Sequence, residues 1–344
     1  MSRNRLPSDL PERGVGPPSD VGGRIPGDSG SKHRIPLDPT QRSDSAVRNI
    51  LLHLLVILER NVEGTIDDLD TEFLHDLRVA CRRTRSALTQ LKGVLPTETT
   101  APIGAEFKWL GDVTGPLRDL DVLLLAMPTY RALLSPPANT DFDALEKLIR
   151  STRARAHRSV VRALRSDRFG RLVSSWRKTL EAIDQSSAPH ASRPTVELAN
   201  ERVTKAHRRV LERGRGLDND PSAGALHRLR IDVKKLRYLL EFFHNLYPEE
   251  DINARIKELK RLQNILGVFN DMEIQSNRLS DFTHELQADS AVGTSSILTL
   301  GRLAATLEER QKELRPVFHD AFKEFSSNPV QAAFRRLLSG KAPK

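Results

Sequence analysis

One basic helical segment occurs twice in this chain. HDLRVACRRTRSAL begins at His75 and HRLRIDVKKLRYLL at His227, an offset of 152 residues. The same offset carries Gly115 onto Gly267, Arg118 onto Asn270, Asp119 onto Asp271 and Asp121 onto Glu273. An earlier pair, Ile57-Leu58-Glu59-Arg60 and Val210-Leu211-Glu212-Arg213, lies 153 residues apart, and one residue of slippage is what a loop insertion produces. Such self-similarity predicts one helical unit used twice, packed with approximate two-fold symmetry. Residues 44–195 and 196–340 are read as the two copies.

The rest of the pattern agrees with helices. From Ser43 onward apolar residues recur at three- and four-residue spacings, with no alternating strand-like runs. Breaks are expected at Gly93 to Pro102, Gly115-Pro116, Pro136-Pro137, Ser186 to Pro194, Gly214 to Pro221, Pro248 and Gly267. They divide the chain into roughly eight to ten helices. The predicted class is all-α: two pseudo-two-fold-related bundles around a central basic cleft. Residues 1–43 are rich in Pro and Gly and have no apolar period, so a disordered tail is expected. That tail carries seven Lys/Arg against five Asp/Glu, which leaves most of the net charge of +9 on the helical part.

A basic balance favours anionic partners: nucleic acid, a membrane surface or a phosphate polymer. Aromatic residues are only 5% of the chain, so platforms for stacking bases are scarce. The single cysteine, Cys81, rules out an intramolecular disulfide and a Cys-rich zinc site. The apolar run from Ile50 to Leu58 is too short to span a bilayer, and no secretory signal is evident, so a cytoplasmic protein is expected.

On a helical wheel with His75 at zero, Arg78, Arg82 and Arg85 fall with it inside an arc of about 80°. Leu77, Ala80, Cys81, Thr84, Leu88 and Leu91 gather on the opposite side, facing a core. His227, Arg230, Lys234 and Arg237 take the same angles in the second copy, and Arg83 and Lys235 extend the charge along a flank. A basic stripe is ordinarily a solvated face paired with nearby acids. Here the nearest acids at helical spacing are read as Asp76 and Asp232, too few to neutralise it, so each stripe repels itself. Keeping it twice, with a histidine at its N-terminal end, calls for a bound anion. A third basic helix runs from Arg150 to Arg171, and of its residues Arg153 and His157 are expected to reach the cleft.

These segments resemble the signature of the CHAD domains, the conserved-histidine α-helical domains, whose copies begin with a His-x-x-Arg basic helix. WLGDVTGPLRDLDVLL, from Trp109, is similar to that family's next motif, a helix ending in Leu-Gly followed by an Arg-Asp-x-Asp helix start. LQNILGVFNDMEI in the second half departs from it, with Asn270 for the arginine and Glu273 for the last aspartate. The resemblance covers residues from about 44 to 340. It implies two helical bundles around a basic cleft that bind inorganic polyphosphate, in a stand-alone member since no β-tunnel domain motif occurs here. The implied ligand residues are His75, Arg78, Arg82, Arg83, Arg85, Arg118, Arg153, His157, His227, Arg230, Lys234, Lys235 and Arg237. No cofactor, metal or catalytic group is called for, and polyphosphate-metabolising enzymes and polyphosphate granules are the implied associates. Asp119 and Asp121 read as helix-start residues, with a second role in holding the stripe.

Two other classes compete. Nucleic acid would be drawn to the same stripe, although no helix-turn-helix, RRM, KH or zinc signature is present. A metal-dependent phosphohydrolase of the HD type could use His53, His75-Asp76 and Asp121, but the doublet becomes His227-Arg228 in the second copy. A di-iron Glu72-x-x-His75 pair likewise meets Gly224 where its second glutamate should be.

Overall fold

The computed structural model describes residues 35–133, 139–218, 221–287 and 294–339. Among them the fold is helical throughout: α1 (Ser43–Arg60), α2 (Val62–Ile66), α3 (Thr71–Gln90), α4 (Thr97–Leu133), α5 (Asn139–Leu164), α6 (Asp167–Ala182), α7 (Thr195–Arg215), α8 (Ala223–Phe242), α9 (Glu249–Gln287), α10 (Thr294–Phe325) and α11 (Asn328–Ser339). A single 3-10 turn, His244–Leu246, joins α8 to α9. No described helix is long and apolar enough to cross a membrane.

The two basic helices start where their sequences supply a cap. Asp70 accepts from the Glu72 N–H at 2.9 Å to open α3, and Ser222 accepts from the Ala225 N–H at 3.3 Å to open α8. Both then bury an apolar stripe: Leu74, Leu77, Ala80, Cys81 and Ala87 on α3, and Leu226, Leu229, Val233, Leu236 and Leu240 on α8. These residues belong to one continuous core that runs through both halves. Packing follows the same order in each half. α3 lies against α1 and α4, and α4 against α5, while α8 lies against α7 and α9, and α9 against α10. The halves meet where α3 touches α8 and α1 touches α7, and where α10 reaches α4 and α5.

Two expected breaks are absent. Gly115-Pro116 lies within α4, which also contains Pro102 and Pro128, and Gly267 lies within α9. A proline inside a helix removes one backbone hydrogen bond and bends the axis, a cost that packing on both sides can outweigh. Asp119 and Asp121 are therefore mid-helix residues, and the helix-start role read from the sequence is corrected. Pro136-Pro137 lies outside the described residues.

The segment read as a tail is tied down from residue 35 onward. Leu37 is buried, Arg42 bridges to Pro194, and the Thr195 and Val196 N–H groups donate to the Gln41 and Pro39 carbonyls at 3.0 and 3.1 Å. Residues 1–34 lie outside the described structure.

Candidate anion-binding site

α3 presents its arginines to α4 at a place where α4 has no side chains to obstruct them. A Cβ added at Gly115 would lie 3.6 Å from Arg78 Nη1, and one at Gly111 would lie 3.4 Å from Arg85 Nη1. In this shallow groove Arg78 Nη1 donates to the Gly111 carbonyl at 2.9 Å and to Thr114 Oγ1 at 2.8 Å. Arg82 reaches the other way, donating from Nε to the Tyr238 hydroxyl of α8 at 2.9 Å. Arg118 of α4 donates to the Thr71 carbonyl at 3.3 Å, with Glu72 at 3.8 Å.

The acceptors matter more than the distances. Arg78 and Arg82 hydrogen-bond to neutral oxygens, which fixes the guanidinium planes and leaves their charge in place. Burial lowers the pKa of Arg78; Arg82 and Arg118 push it the same way, and Asp119 opposes them. Burial lowers Arg118 as well, with Glu72, Asp121 and Asp76 opposing and Arg82 adding to the shift. Arginine stays protonated through such shifts, so their meaning is electrostatic. Three half-buried cations share one field, and an anion would relieve it. Arg85 is exposed at the rim, and His75 is half-buried one turn before Arg78.

On α8 and α9 the positions aligned by the 152-residue offset carry different chemistry. Arg230 faces Asp271 at 3.7 Å, the position equivalent to Asp119 beside Arg78. Arg237 donates from Nε to Gln263 at 2.7 Å, at the position where Arg85 lies over Gly111. His227, exposed, bonds through Nδ1 to Asn270, the residue that replaces Arg118. Lys234 and Lys235 are half-buried, and the Lys235 carbonyl accepts from Gln90 of α3 at 3.2 Å.

Glu241 is the residue that sequence reasoning missed. It lies four residues after Arg237, at an angle inside the basic arc, and pairs with it. Its other oxygen faces Arg83 of α3 at 3.3 Å. Arg83 is only 6% exposed and stacks over Tyr238 and Phe242, with centroid distances of 5.6 and 5.4 Å. Its placement as a ligand on a charged flank is therefore corrected: that flank is the contact between α3 and α8. The stripe of α8 also has an acidic partner at helical spacing, contrary to the reading that only Asp76 and Asp232 were near.

Arg153 and His157 of α5 turn onto α2 and α4. Arg153 gives Nε to Asp121 and its two terminal nitrogens to Asp68, each at 2.6 Å, and His157 Nε2 sits 3.0 Å from the Thr65 carbonyl. Those carboxylates raise the pKa of Arg153 and neutralise it, so its charge is corrected from ligand contact to an internal tie. Asp121, one of the four residues of the hydrolase reading, is committed to that tie. Among the described residues no three His, Cys, Asp or Glu side chains are grouped to hold a metal. An open concavity of about 830 Å³, lined in part by Pro36, Leu37, His244 and Tyr247, includes no residue of either basic helix.

The chain is similar to known proteins along most of its length. It is 27% identical over 264 residues to an uncharacterized protein of Mycobacterium tuberculosis strain H37Rv, covering 75% of this chain and 48% of that protein. The chain thus spans about half the length of the curated relatives it matches. Among solved structures, the CHAD domain from the plant Ricinus communis superimposes with a TM-score of 0.69 at 26% identity, over 94% of this chain and 99% of that one. PptA from Streptomyces chartreusis shares the fold, with a TM-score of 0.66 at 16% identity over 82% of this chain and 99% of its own. The CHAD domain family model matches residues 49–280, and with the basic helices, the glycine groove and the all-α fold it establishes that this chain belongs to the CHAD domain family.

Proposed function

We propose that this protein binds long-chain inorganic polyphosphate without chemically altering it, along the basic faces of α3 and α8. One observation carries the reading: Arg78 and Arg82 are held by neutral oxygens, so both keep their charge on one face, beside Arg118, which Glu72 faces at 3.8 Å. Guanidinium groups offer paired N–H donors to phosphate oxygens, and a polymer with a charge on every phosphate and no bases needs no further readout. His75 and Arg85 extend the face on α3. Arg230, Lys234, Lys235, Arg237 and His227 supply the opposite wall, where Asp271, Glu241 and Asn270 moderate the charge and set the side-chain positions. Internal duplication of the helical unit would produce such paired walls, and a basic cleft between them fits a linear polymer. A cytosolic protein that associates with polyphosphate granules and the enzymes of polyphosphate metabolism is the matching biological setting.

The test is a competition titration of labelled polyphosphate against duplex DNA, ATP and orthophosphate at matched charge. Polyphosphate should bind submicromolar at low salt and be displaced poorly by the others. Duplex DNA competing equally well would favour the nucleic-acid reading, since the same stripe attracts any phosphate backbone. Incubation with polyphosphate and Mg²⁺ or Mn²⁺ should release no phosphate, and steady release would reinstate a hydrolase.

A further inference from the structure

The C-terminal half of α5 carries a second basic stripe that the site on α3 and α8 does not use. From residue 147 to 166 the chain has seven Lys/Arg and no Asp or Glu. Arg155, Arg158, Arg162 and Arg165 follow one another at spacings of three, four and three, the spacing of His75, Arg78, Arg82 and Arg85. The first three share an arc of about 60° on α5, and Arg165 follows at its C-terminal end, one residue past Leu164. All four are exposed, while Val160 and Leu164 are buried on another side of the helix and Arg153 and His157 face α2 and α4.

Their partners are neutral. Arg155 donates to Thr152 at 2.9 Å and Arg162 to Ser159 at 3.1 Å, and among the described residues none of the four forms an ion pair with a carboxylate. Neighbouring arginines do find carboxylates: Arg150 pairs with Glu146, and Arg168 with Glu106. The stripe therefore repels itself and keeps its charge. It also has no aromatic or large apolar side chain among its arginines, so it offers neither a base-stacking platform nor the apolar anchors of a protein interface. Such a face, about 15 Å long at the helical rise, fits an occupant that is phosphate throughout.

We propose that this outer face of α5 is a second phosphate track, occupied by the part of a long polyphosphate chain that extends beyond α3 and α8. The inference rests on the polyphosphate reading above. A chain held at the first site presents its free length to α5 at high effective concentration, so the second contact adds affinity only when the chain is long enough to reach.

The experiment compares the wild type with a variant carrying Arg155→Gln, Arg158→Gln, Arg162→Gln and Arg165→Gln, substitutions that keep helix propensity. Each is titrated with short chains, on the order of 10 phosphates, and long chains, on the order of 100, at one ionic strength. The wild type should favour long chains per molecule by more than the statistical factor. The variant should lose on the order of tenfold for long chains and leave short-chain affinity and the helical circular dichroism unchanged. Equal long-chain affinity in both proteins overturns the second track. Loss of duplex DNA binding in the variant with long polyphosphate unaffected overturns the assigned occupant. Failure of the wild type to bind either chain length overturns the polyphosphate reading itself, and this inference with it.

Discussion

Replacing Glu241 with glutamine should destabilise the protein without weakening its grip on polyanions. Glu241 is shared between Arg83 of α3 and Arg237 of α8, and its side chain is 5% exposed. Arg83 has little water to turn to, at 6% exposure, and burial already lowers its pKa. Removing one partner of a buried ion pair costs about 3–5 kcal/mol, because the other charge is left without compensation. Glutamine keeps the volume and one acceptor oxygen, and Arg83 keeps its contacts with the Tyr238 and Phe242 rings, so the expected cost is near the lower end, about 3 kcal/mol. At roughly 2–4 °C per kcal/mol, the Tm should fall by about 6–12 °C. Arg83→Met should cost less, about 1–2 kcal/mol, because Glu241 retains Arg237. The double variant should recover part of the loss of Glu241→Gln, since Arg83 is then no longer orphaned and only Arg237, at 15% exposure, lacks its carboxylate. Thermal and urea melts read stability, and a polyphosphate titration reads binding. A Tm unchanged in Glu241→Gln would refute the reasoning. So would an Arg83→Met variant that melts normally and loses affinity, since Arg83 would then face the ligand.

Two further predictions concern the second half. His207 stacks on Phe334 with centroids 4.1 Å apart, and burial pushes its pKa down to about 4 from an ordinary 6.5. The unfolded chain takes up that proton near pH 6.5 and the folded chain only near pH 4. Stability is therefore lost as pH falls through this window, by at most about 3 kcal/mol, and Tm measured from pH 7 to 4.5 should decline less in His207→Leu. At Gly214 an added Cβ would lie 2.1 Å from the Phe322 ring, so Gly214→Ala should cost about 1–3 kcal/mol in urea melts. Adding Phe322→Leu should relieve that steric cost, and purely additive losses would count against the close approach.

Much of the fold was legible because periodicity records which face of a helix is buried. The wheel places Leu77, Ala80, Cys81, Thr84, Leu88 and Leu91 inward; all are buried except Leu88, which packs half-buried against the core. What it could not record is the neighbour on each remaining flank. Arg83 lies about 80° from His75, a direction that reads as a basic flank until α8 is seen to occupy it. Glu241 was readable at four residues from Arg237 but carried no mark that its second oxygen serves another helix. Proline misled in the other direction: Pro116 signals a break locally, yet α4 runs through it because packing on α3 and α5 outweighs one lost hydrogen bond. The glycines beside it were read as punctuation, whereas Gly111 and Gly115 make room for the arginines of α3. On α5 the sequence offered a basic helix, and the inward choice of Arg153 depended on Asp68 and Asp121 and that of His157 on the Thr65 carbonyl, all distant in the chain.

The central claim is that Arg78 and Arg82 are held ready for phosphate by neutral acceptors. Its most direct test is the salt dependence of polyphosphate affinity in the wild type and in the Arg78→Gln/Arg82→Gln variant. Each cation that contacts a phosphate contributes roughly one to the slope of log affinity against log salt. The variant should bind at least tenfold more weakly at low salt, with a slope shallower by about two and the circular dichroism of the wild type. An unchanged slope and affinity in a folded variant would contradict the account.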